Sequence, residues 1–243
     1  MTPILALWAI PRSTSTAFER MMRQRGDHLC HHEPFGEAWY FGEDRLCPRE
    51  TKEPIRGGLT FASVWQGLLA DAARERVFIK DFPHYIMHMV DDKFLAAYTH
   101  SFLIRTPEKM LPSMYKHWPD FEVAETGYAE QRDLFNRIAD RDGTAPPVVD
   151  SDDLLDNTTA TVEAWCAAVG IPYMPEALEW EQGERKEMSW YDGGSWHENL
   201  EASTGLKRQK RDYVSIDHND HLKRAYEICR PHYEDLYAHR LGA

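Results

Sequence analysis

Short apolar runs alternate along this chain with longer stretches whose apolar residues recur at helical spacing. We predict strands over residues 4–10, 28–32, 77–80, 101–105 and 147–150. The first and fourth runs are almost continuously apolar, which is typical of strands buried on both faces of a sheet. Helices are predicted over residues 15–25, 59–75, 85–97, 108–117, 128–141 and 158–169. This alternation predicts an α/β fold in three layers, with a central parallel sheet of about five strands.

The 243 residues fit one domain, residues 1–243, in which three parts differ in pattern. Residues 1–170 carry the alternating core, and residues 216–243 have the apolar spacing of a C-terminal helix. Residues 171–215 between them are irregular. Long loops within a compact domain often act as lids, so we predict that this segment covers a binding site.

The longest apolar run has seven residues, whereas a membrane span needs about 20. It also lacks the basic flank and the cleavage site of a signal peptide. The four cysteines include no CxxC pair, which suits a reducing compartment. These features lead us to expect a cytoplasmic protein with no membrane partner.

Acidic side chains outnumber basic ones by 40 to 28, which leaves a formal charge of −12. Nucleic-acid binding depends largely on neutralising phosphates, so this balance argues against a nucleic-acid partner. A small anion must then be held by a local basic site.

One such site is predicted directly after the first strand, where the chain reads Pro11-Arg12-Ser13-Thr14-Ser15-Thr16 and then enters a helix. The N–H groups at a helix N-terminus and the helix dipole attract anions. The guanidinium of Arg12 suits phosphate or sulfate oxygens. An ordinary hydroxyl-rich helix start beside a surface arginine is the alternative.

A second basic feature follows the fourth strand. Arg105-Thr106-Pro107 ends that strand, and Ser113-Met114-Tyr115 follows in the next predicted helix. Ligands of open α/β sheets bind at the carboxyl edge of the strands, so Arg105 and Ser113 are candidates for holding a second anion. A salt-bridged arginine ahead of a helix-starting proline is the alternative.

Together these two motifs resemble those of the sulfotransferases that use 3′-phosphoadenosine 5′-phosphosulfate (PAPS), a family with a P-loop-NTPase-like fold. The resemblance covers about residues 1–170. It departs at Arg12, where lysine is commoner, and at Thr14, where glycine is usual. Because glycine permits tight turns, the residue at position 14 leaves open how tightly the loop folds.

The resemblance implies PAPS as the co-substrate, with no metal. It assigns the 5′-phosphosulfate to Arg12 and to the loop residues Ser13, Thr14, Ser15 and Thr16, and the 3′-phosphate to Arg105 and Ser113. A late basic loop closes over the 3′-phosphate in many members. Lys207 and Arg208, in the basic run 207–211, are the candidates here, and a solvated charged face is the alternative.

A base must remove a proton from the acceptor. The resemblance assigns this role to Glu33, in a Glu-Pro pair after the second strand, with His31 as the alternative. His32 is expected to face the opposite way. Glu33 pairing with an arginine, and Lys80 as a sulfate contact or a structural ion pair, remain open.

The aromatic residues that follow Glu33 either wall an acceptor pocket or belong to the core; they are Phe35, Trp39, Tyr40 and Phe41. The acceptor is expected to be a small molecule, with an aromatic or apolar one as an option. The sequence leaves open its identity, whether a hydroxyl or an amine is sulfated, and the oligomeric state.

Three other functions remain as alternatives. The first is a metal-dependent hydrolase that uses His28, His31 and His32, although neither HExxH nor CxxC is present. The second is a nucleotide-kinase-like phosphotransferase, for which the glycine-lysine loop is missing. The third is a non-catalytic nucleotide-binding protein.

Overall fold

The computed structural model describes residues 2–49, 53–183, 203–208 and 213–242. The strands in these ranges are β1 Ile4–Ala9, β2 Leu29–His32, β3 Val77–Asp81, β4 Tyr98–Ile104 and β5 Val148–Asp150. The helices are α1 Ser15–Arg25, α2 Pro34–Phe41, α3 Phe61–Ala72, α4 Asp92–Leu95, α5 Pro107–Tyr115, α6 Tyr128–Asp142, α7 Ser151–Asp156, α8 Thr158–Val169 and the C-terminal helix Asp220–Tyr237.

All strand pairs in the described sheet are parallel, in the order β2-β3-β1-β4-β5. The order reverses at β1, because β3 lies on one side of it and β4 on the other. Open α/β sheets bind ligands at such a reversal, outside the carboxyl ends of the strands. The predicted three-layer α/β fold with a five-stranded parallel sheet is confirmed.

The first strand forms the middle of the core. Every residue of β1 is buried, as expected for a strand covered by helices on both faces. The side chain of Gln131, on α6, donates to the carbonyl oxygens of Trp8 and Leu103, at 3.0 Å in both cases. This amide satisfies backbone groups where β1 and β4 end, so it holds the binding edge of the sheet in register.

The structure corrects one predicted helix and contains helices that were not predicted, α2 among them. Residues 85–97 do not form one helix: they form short 3₁₀ turns at Pro83–Tyr85 and Met87–Met89 and the single-turn helix α4. The N-terminus of α2 is fixed by Asp81, whose carboxylate accepts a hydrogen bond from the N–H of Phe35 at 2.8 Å. Because the two residues are 46 positions apart, no local sequence pattern predicts this contact.

The irregular segment falls only partly within the described residues. Residues 171–183 contain one 3₁₀ turn, Pro175–Leu178, and an isolated bridge joins Glu179 to Gly205. Residues 184–202 and 209–212 lie outside the described residues. Within the described ranges, no helix is long and apolar enough to cross a bilayer.

Candidate active site

A cavity of about 360 Å³ opens at the carboxyl edge of the sheet. One part of its lining, which we call the basic wall, carries five cations: Arg12, Arg105, Lys109, Lys207 and Arg208. Another part, the aromatic wall, is formed by Tyr40, Phe82, His84 and Tyr85, with His32 and Glu33 beside them. Trp118 and Glu125 also line the cavity.

The loop after β1 is tightly folded. The hydroxyl of Ser13 donates to the carbonyl of Ile10 at 2.7 Å, and the hydroxyl of Ser151 donates to the carbonyl of Ser13. Arg12 and Thr14 have φ angles of 59° and 73°. A threonine in this left-handed region is strained, so Thr14 adopts the conformation that the usual glycine would adopt at lower cost. The loop is therefore tight despite the departure at Thr14.

Helix α1 begins at Ser15 without a side-chain cap on its N-terminus. The residues that resemble a phosphosulfate loop, Ser13 to Thr16, all line the cavity. The positive end of the helix dipole therefore lies beside the basic wall, which favours an anion there.

The two predicted anion motifs meet. Arg12 Nε donates to Ser113 Oγ at 3.0 Å, across 101 residues. The guanidinium of Arg105 donates to the carbonyl of Arg12. Tyr128 then donates to the carbonyl of Arg105 at 2.6 Å, which fixes the end of β4. Arg12, Arg105 and Ser113 therefore form one connected group at the centre of the sheet edge.

The late basic residues Lys207 and Arg208 line the same cavity. Arg208 makes a two-pronged contact with Asp156, at 2.8 and 2.6 Å, and donates to Asp152 at 2.8 Å. Lys109 donates to both oxygens of Asp152 at 2.7 Å. Burial alone would raise the pKa of Asp152, but the hydrogen bonds from Lys109 and Arg208 hold that pKa below its usual range.

Glu33 and Lys80 form a buried ion pair beside the aromatic wall. The ammonium of Lys80 donates to Glu33 Oε1, and Lys80 is completely buried. Glu33 is the residue before α2 and has a φ of 46°. The neighbouring Asp81 is also completely buried, and burial raises its pKa well above the usual range.

The structure reverses the expected orientation of the two neighbouring histidines. His32 lines the cavity, whereas His31 is not among the lining residues. His31 Nε2 lies 3.1 Å from a carboxylate oxygen of Asp71 on α3. The two imidazoles point to opposite faces of β2, as strand geometry requires, but the face toward the cavity is the one not expected.

The ring of His32 forms a hydrogen bond with a buried carboxylate, that of Glu19, which the sequence analysis did not single out. Its Nδ1 lies 2.6 Å from Oε2 of Glu19 on α1, and both side chains are buried. Arg23 donates to the other oxygen of Glu19 at 2.9 Å. Burial alone would raise the pKa of Glu19, but His32, Lys80 and Arg23 together lower it to about 2.

Of the four aromatic residues after Glu33, only Tyr40 is among the residues that line the cavity. Phe35 and Phe41 are core residues, and Trp39 packs edge-on against His84 at 5.9 Å between ring centroids. Burial lowers the pKa of His84 to about 3, so its ring is neutral near pH 7. The aromatic wall therefore has a largely uncharged surface.

The histidines proposed for a metal site diverge. His28 lies 2.8 Å from Asp27, and His31 and His32 contact Asp71 and Glu19. Within the described ranges, no group of three or more histidine, cysteine or acidic side chains is placed to hold a metal ion.

Two residues beside the site were not singled out from the sequence. Tyr213 accepts a hydrogen bond from the hydroxyl of Ser113 at 3.0 Å, and Glu19 lies on the buried side of α1. The sequence signal for Tyr213 was its position beside the basic run. No local signal marked Glu19.

Comparison with known proteins agrees with the resemblance found in the sequence motifs. The family model described as "Sulfotransferase domain" matches residues 3–238. The chain is 27% identical over 242 residues to the Arabidopsis thaliana protein named "Branched-chain-amino-acid aminotransferase-like protein 2", covering 97% of this chain but 42% of that protein. It therefore spans less than half the length of this plant relative. "Sulfotransferase ppzF" of Metarhizium rileyi is 23% identical over 192 residues, which cover 64% of this chain and 56% of that protein.

Solved structures share the fold at low sequence identity. The sulfotransferase from Alicyclobacillus acidocaldarius has a TM-score of 0.53 and 13% identity, covering 99% of this chain and 98% of that one. The sulfotransferase domain of the Synechococcus PCC 7002 olefin synthase gives 0.53 and 14%, covering 99% and 96%. Mouse sulfotransferase SULT7A1 complexed with PAP gives 0.52 and 11%, covering 95% and 84%.

Proposed function

This chain belongs to the sulfotransferase domain family, and we propose that it transfers a sulfuryl group from PAPS to a hydroxyl or amine of a small-molecule acceptor. The observation that carries the proposal is the contact between Arg12 and Ser113. It joins two separate anion motifs into one group at the point where the strand order reverses.

The basic wall fits a nucleotide with phosphate at two positions. A chain of formal charge −12 places five cations around one cavity, together with a helix N-terminus that has no side-chain cap. Arg12 and the residues from Ser13 to Thr16 would hold the 5′-phosphosulfate. Arg105, Ser113 and the pair Lys207 and Arg208 would hold the 3′-phosphate. PAPS would supply a sulfuryl group bonded to a phosphate leaving group.

The aromatic wall supports a small aromatic or apolar acceptor. Its rings contact one another closely, with Tyr85 at 5.4 Å from Phe82 and 6.0 Å from Tyr40 between centroids. Pockets of this kind are mostly apolar with a few placed polar groups, and here those groups are Glu33, His32 and His84.

This chain's residues would act mainly by positioning and by charge stabilisation. Arg12 would stabilise negative charge that develops on the departing oxygens. Lys80 lies at the end of β3 and keeps the carboxylate of Glu33 at the cavity surface. Glu33, the base predicted from the resemblance, and His32 both line the cavity beside the aromatic wall, and either would accept the proton of the acceptor.

The proposal is tested by a thermal-shift titration with 3′-phosphoadenosine 5′-phosphate, the product nucleotide, with ATP and EDTA in parallel wells. At about 100 Kd, binding adds about 2.7 kcal/mol of stability, which for a chain of this length raises Tm by on the order of 5–11 °C. We expect this rise with the bisphosphate, a smaller one with ATP and no effect of EDTA. No response to the bisphosphate would contradict the proposal, and loss of stability in EDTA would redirect attention to the histidines.

A further inference from the structure

Two groups at the aromatic wall compete for the proton that the acceptor must lose, and their surroundings differ. Glu33 has a buried ammonium, that of Lys80, on its Oε1. If the carboxylate took up a proton, Lys80 would be left as a buried cation facing a neutral group. Removing the charge of one partner from a buried ion pair is strongly unfavourable. Its ion pair therefore makes Glu33 a poor final site for the proton.

His32 has the reverse arrangement. Its Nδ1 lies 2.6 Å from Glu19, a completely buried carboxylate on α1. A proton added to His32 would create an imidazolium facing that carboxylate, so the new charge would be compensated at once. Arg23 holds the other oxygen of Glu19, with Nη2 2.8 Å away, and so fixes its orientation.

The same contact defines which ring nitrogen can accept. Glu19 is paired with Arg23, and a carboxylate in such a pair can only accept a hydrogen bond. Nδ1 must then carry a hydrogen, and in the neutral ring the lone pair lies on Nε2. Nε2 of His32 lies 3.9 Å from Oε1 of Glu33, and both residues line the cavity.

We infer that His32 is the catalytic base of this site and that Glu19 is its positioning residue; the inference rests on the proposed sulfotransferase function. The acceptor's O–H or N–H bond breaks and its proton goes to Nε2 of His32. The electron pair left on the acceptor forms the new bond to sulfur. The bond between sulfur and the phosphate oxygen breaks, and its electron pair leaves with the nucleotide. Glu33, paired with Lys80, orients the acceptor by accepting a hydrogen bond.

The first test measures the ring of His32 directly, without turnover. Protein labelled with ¹⁵N at histidine is studied by long-range ¹H–¹⁵N correlation, and the signal missing from His32→Gln identifies His32. We expect a protonated Nδ1 and an unprotonated Nε2 near pH 7.5, with the tautomers redistributed in Glu19→Gln. A protonated Nε2 in the resting enzyme would overturn the inference, because that nitrogen could not accept a proton.

The second test is kinetic, with PAPS as donor and 2-naphthol as a model acceptor. We expect His32→Gln to lower kcat by about 100-fold or more, the range for loss of a general base, and Glu19→Gln by about tenfold or more. The Kd of the bisphosphate should stay within about twofold of wild type. Asp71→Asn, which removes the carboxylate facing the neighbouring His31, is the matched control and should retain activity.

Chemical rescue separates a base from a merely structural histidine. His32→Ala should regain activity with added imidazoles, and the regained rate should rise with their basicity. Rescue that is absent, or that does not depend on the basicity of the imidazole, would overturn the role of His32.

The outcomes are distinguishable: a wild type that does not bind the bisphosphate contradicts the proposed function, whereas normal binding with normal turnover in His32→Gln contradicts only this inference. If Glu19→Gln does not fold, the His32 spectrum of wild type still decides.

Discussion

The basic wall and the aromatic wall differ in how their key groups are brought together. At the basic wall, Arg12 to Thr16 are consecutive, and the following helix start adds its dipole to their charge and hydroxyls. At and behind the aromatic wall, the key groups come from four elements: Glu19 from α1, His32 from β2, Lys80 from β3 and His84 from a 3₁₀ turn. A contiguous motif can be identified from the sequence, whereas a site assembled from four elements requires their packing.

The walls also treat charge differently. The cations of the basic wall line the cavity and are at least partly exposed, so a bound anion can contact them even where, as at Lys109 and Arg208, they also pair with a carboxylate. The carboxylates beside the aromatic wall are buried and already paired with cations, Glu33 with Lys80 and Glu19 with Arg23. Substitutions at the basic wall should therefore weaken donor binding, whereas those at the aromatic wall should chiefly slow the chemical step.

The largest expected effect at the basic wall is that of Arg12→Ala. Because it removes a charge-assisted donor from the departing group, kcat should fall by about 100-fold or more, and the Kd of the bisphosphate should rise. Steady-state kinetics and calorimetric titration measure the two. Arg12→Lys, which keeps the charge, is the control and should recover part of the activity; near-normal kinetics in Arg12→Ala would remove this role.

Arg105→Ala should mainly affect donor binding. Loss of one hydrogen-bonded charge is expected to raise the donor KM by about tenfold or more while the acceptor KM changes little. Arg137→Ala, which removes an exposed arginine paired with Asp133, is the control and should leave both constants unchanged. Equal increases in both KM values would indicate that Arg105 only supports the loop of Arg12.

A pH effect on stability is expected away from both walls, at His100. Its Nδ1 accepts from Trp8 at 2.9 Å, its Nε2 lies 3.0 Å from the carbonyl of Leu95, and burial lowers its pKa to about 4. His100 binds a proton more readily in the unfolded chain than in the folded one. Its contribution to the free energy of unfolding is therefore fully present above about pH 6.5 and is lost as the pH falls toward 4.

Urea unfolding at pH 7 and pH 5 measures this loss. His100→Gln cannot titrate, so its free energy of unfolding should fall by about 2 kcal/mol less than that of wild type between the two pH values. An identical fall in both proteins would show that His100 is not a source of the pH dependence. His84, with a pKa of about 3, adds to the loss in both.

The smallest expected effect comes from the strained loop of the basic wall. Thr14→Gly should raise the free energy of unfolding by about 0.5–1 kcal/mol, because glycine adopts a φ of 73° without steric cost. Thr16→Gly, inside α1, is the matched control and should lower that free energy by a similar amount. Destabilisation by both substitutions would mean that Thr14 is not strained in solution.

The sequence by itself determined the parallel α/β fold, the positions of the five strands and the loop that follows β1. These features come from local periodicity and from contiguous residues, which act over a few positions of the chain. The alternation of β2 also determined that His31 and His32 face opposite ways.

Only the tertiary structure decided that His32, and not His31, faces the cavity. That choice depends on the packing of α1 and α3 on the two faces of the sheet, which places Glu19 behind His32 and Asp71 beside His31. The same long-range packing buries Lys80 against Glu33, and our inference that His32 accepts the proton rests on both ion-pair arrangements. Burial and pairing of charges are properties of the packed chain, and no single segment of the sequence contains them.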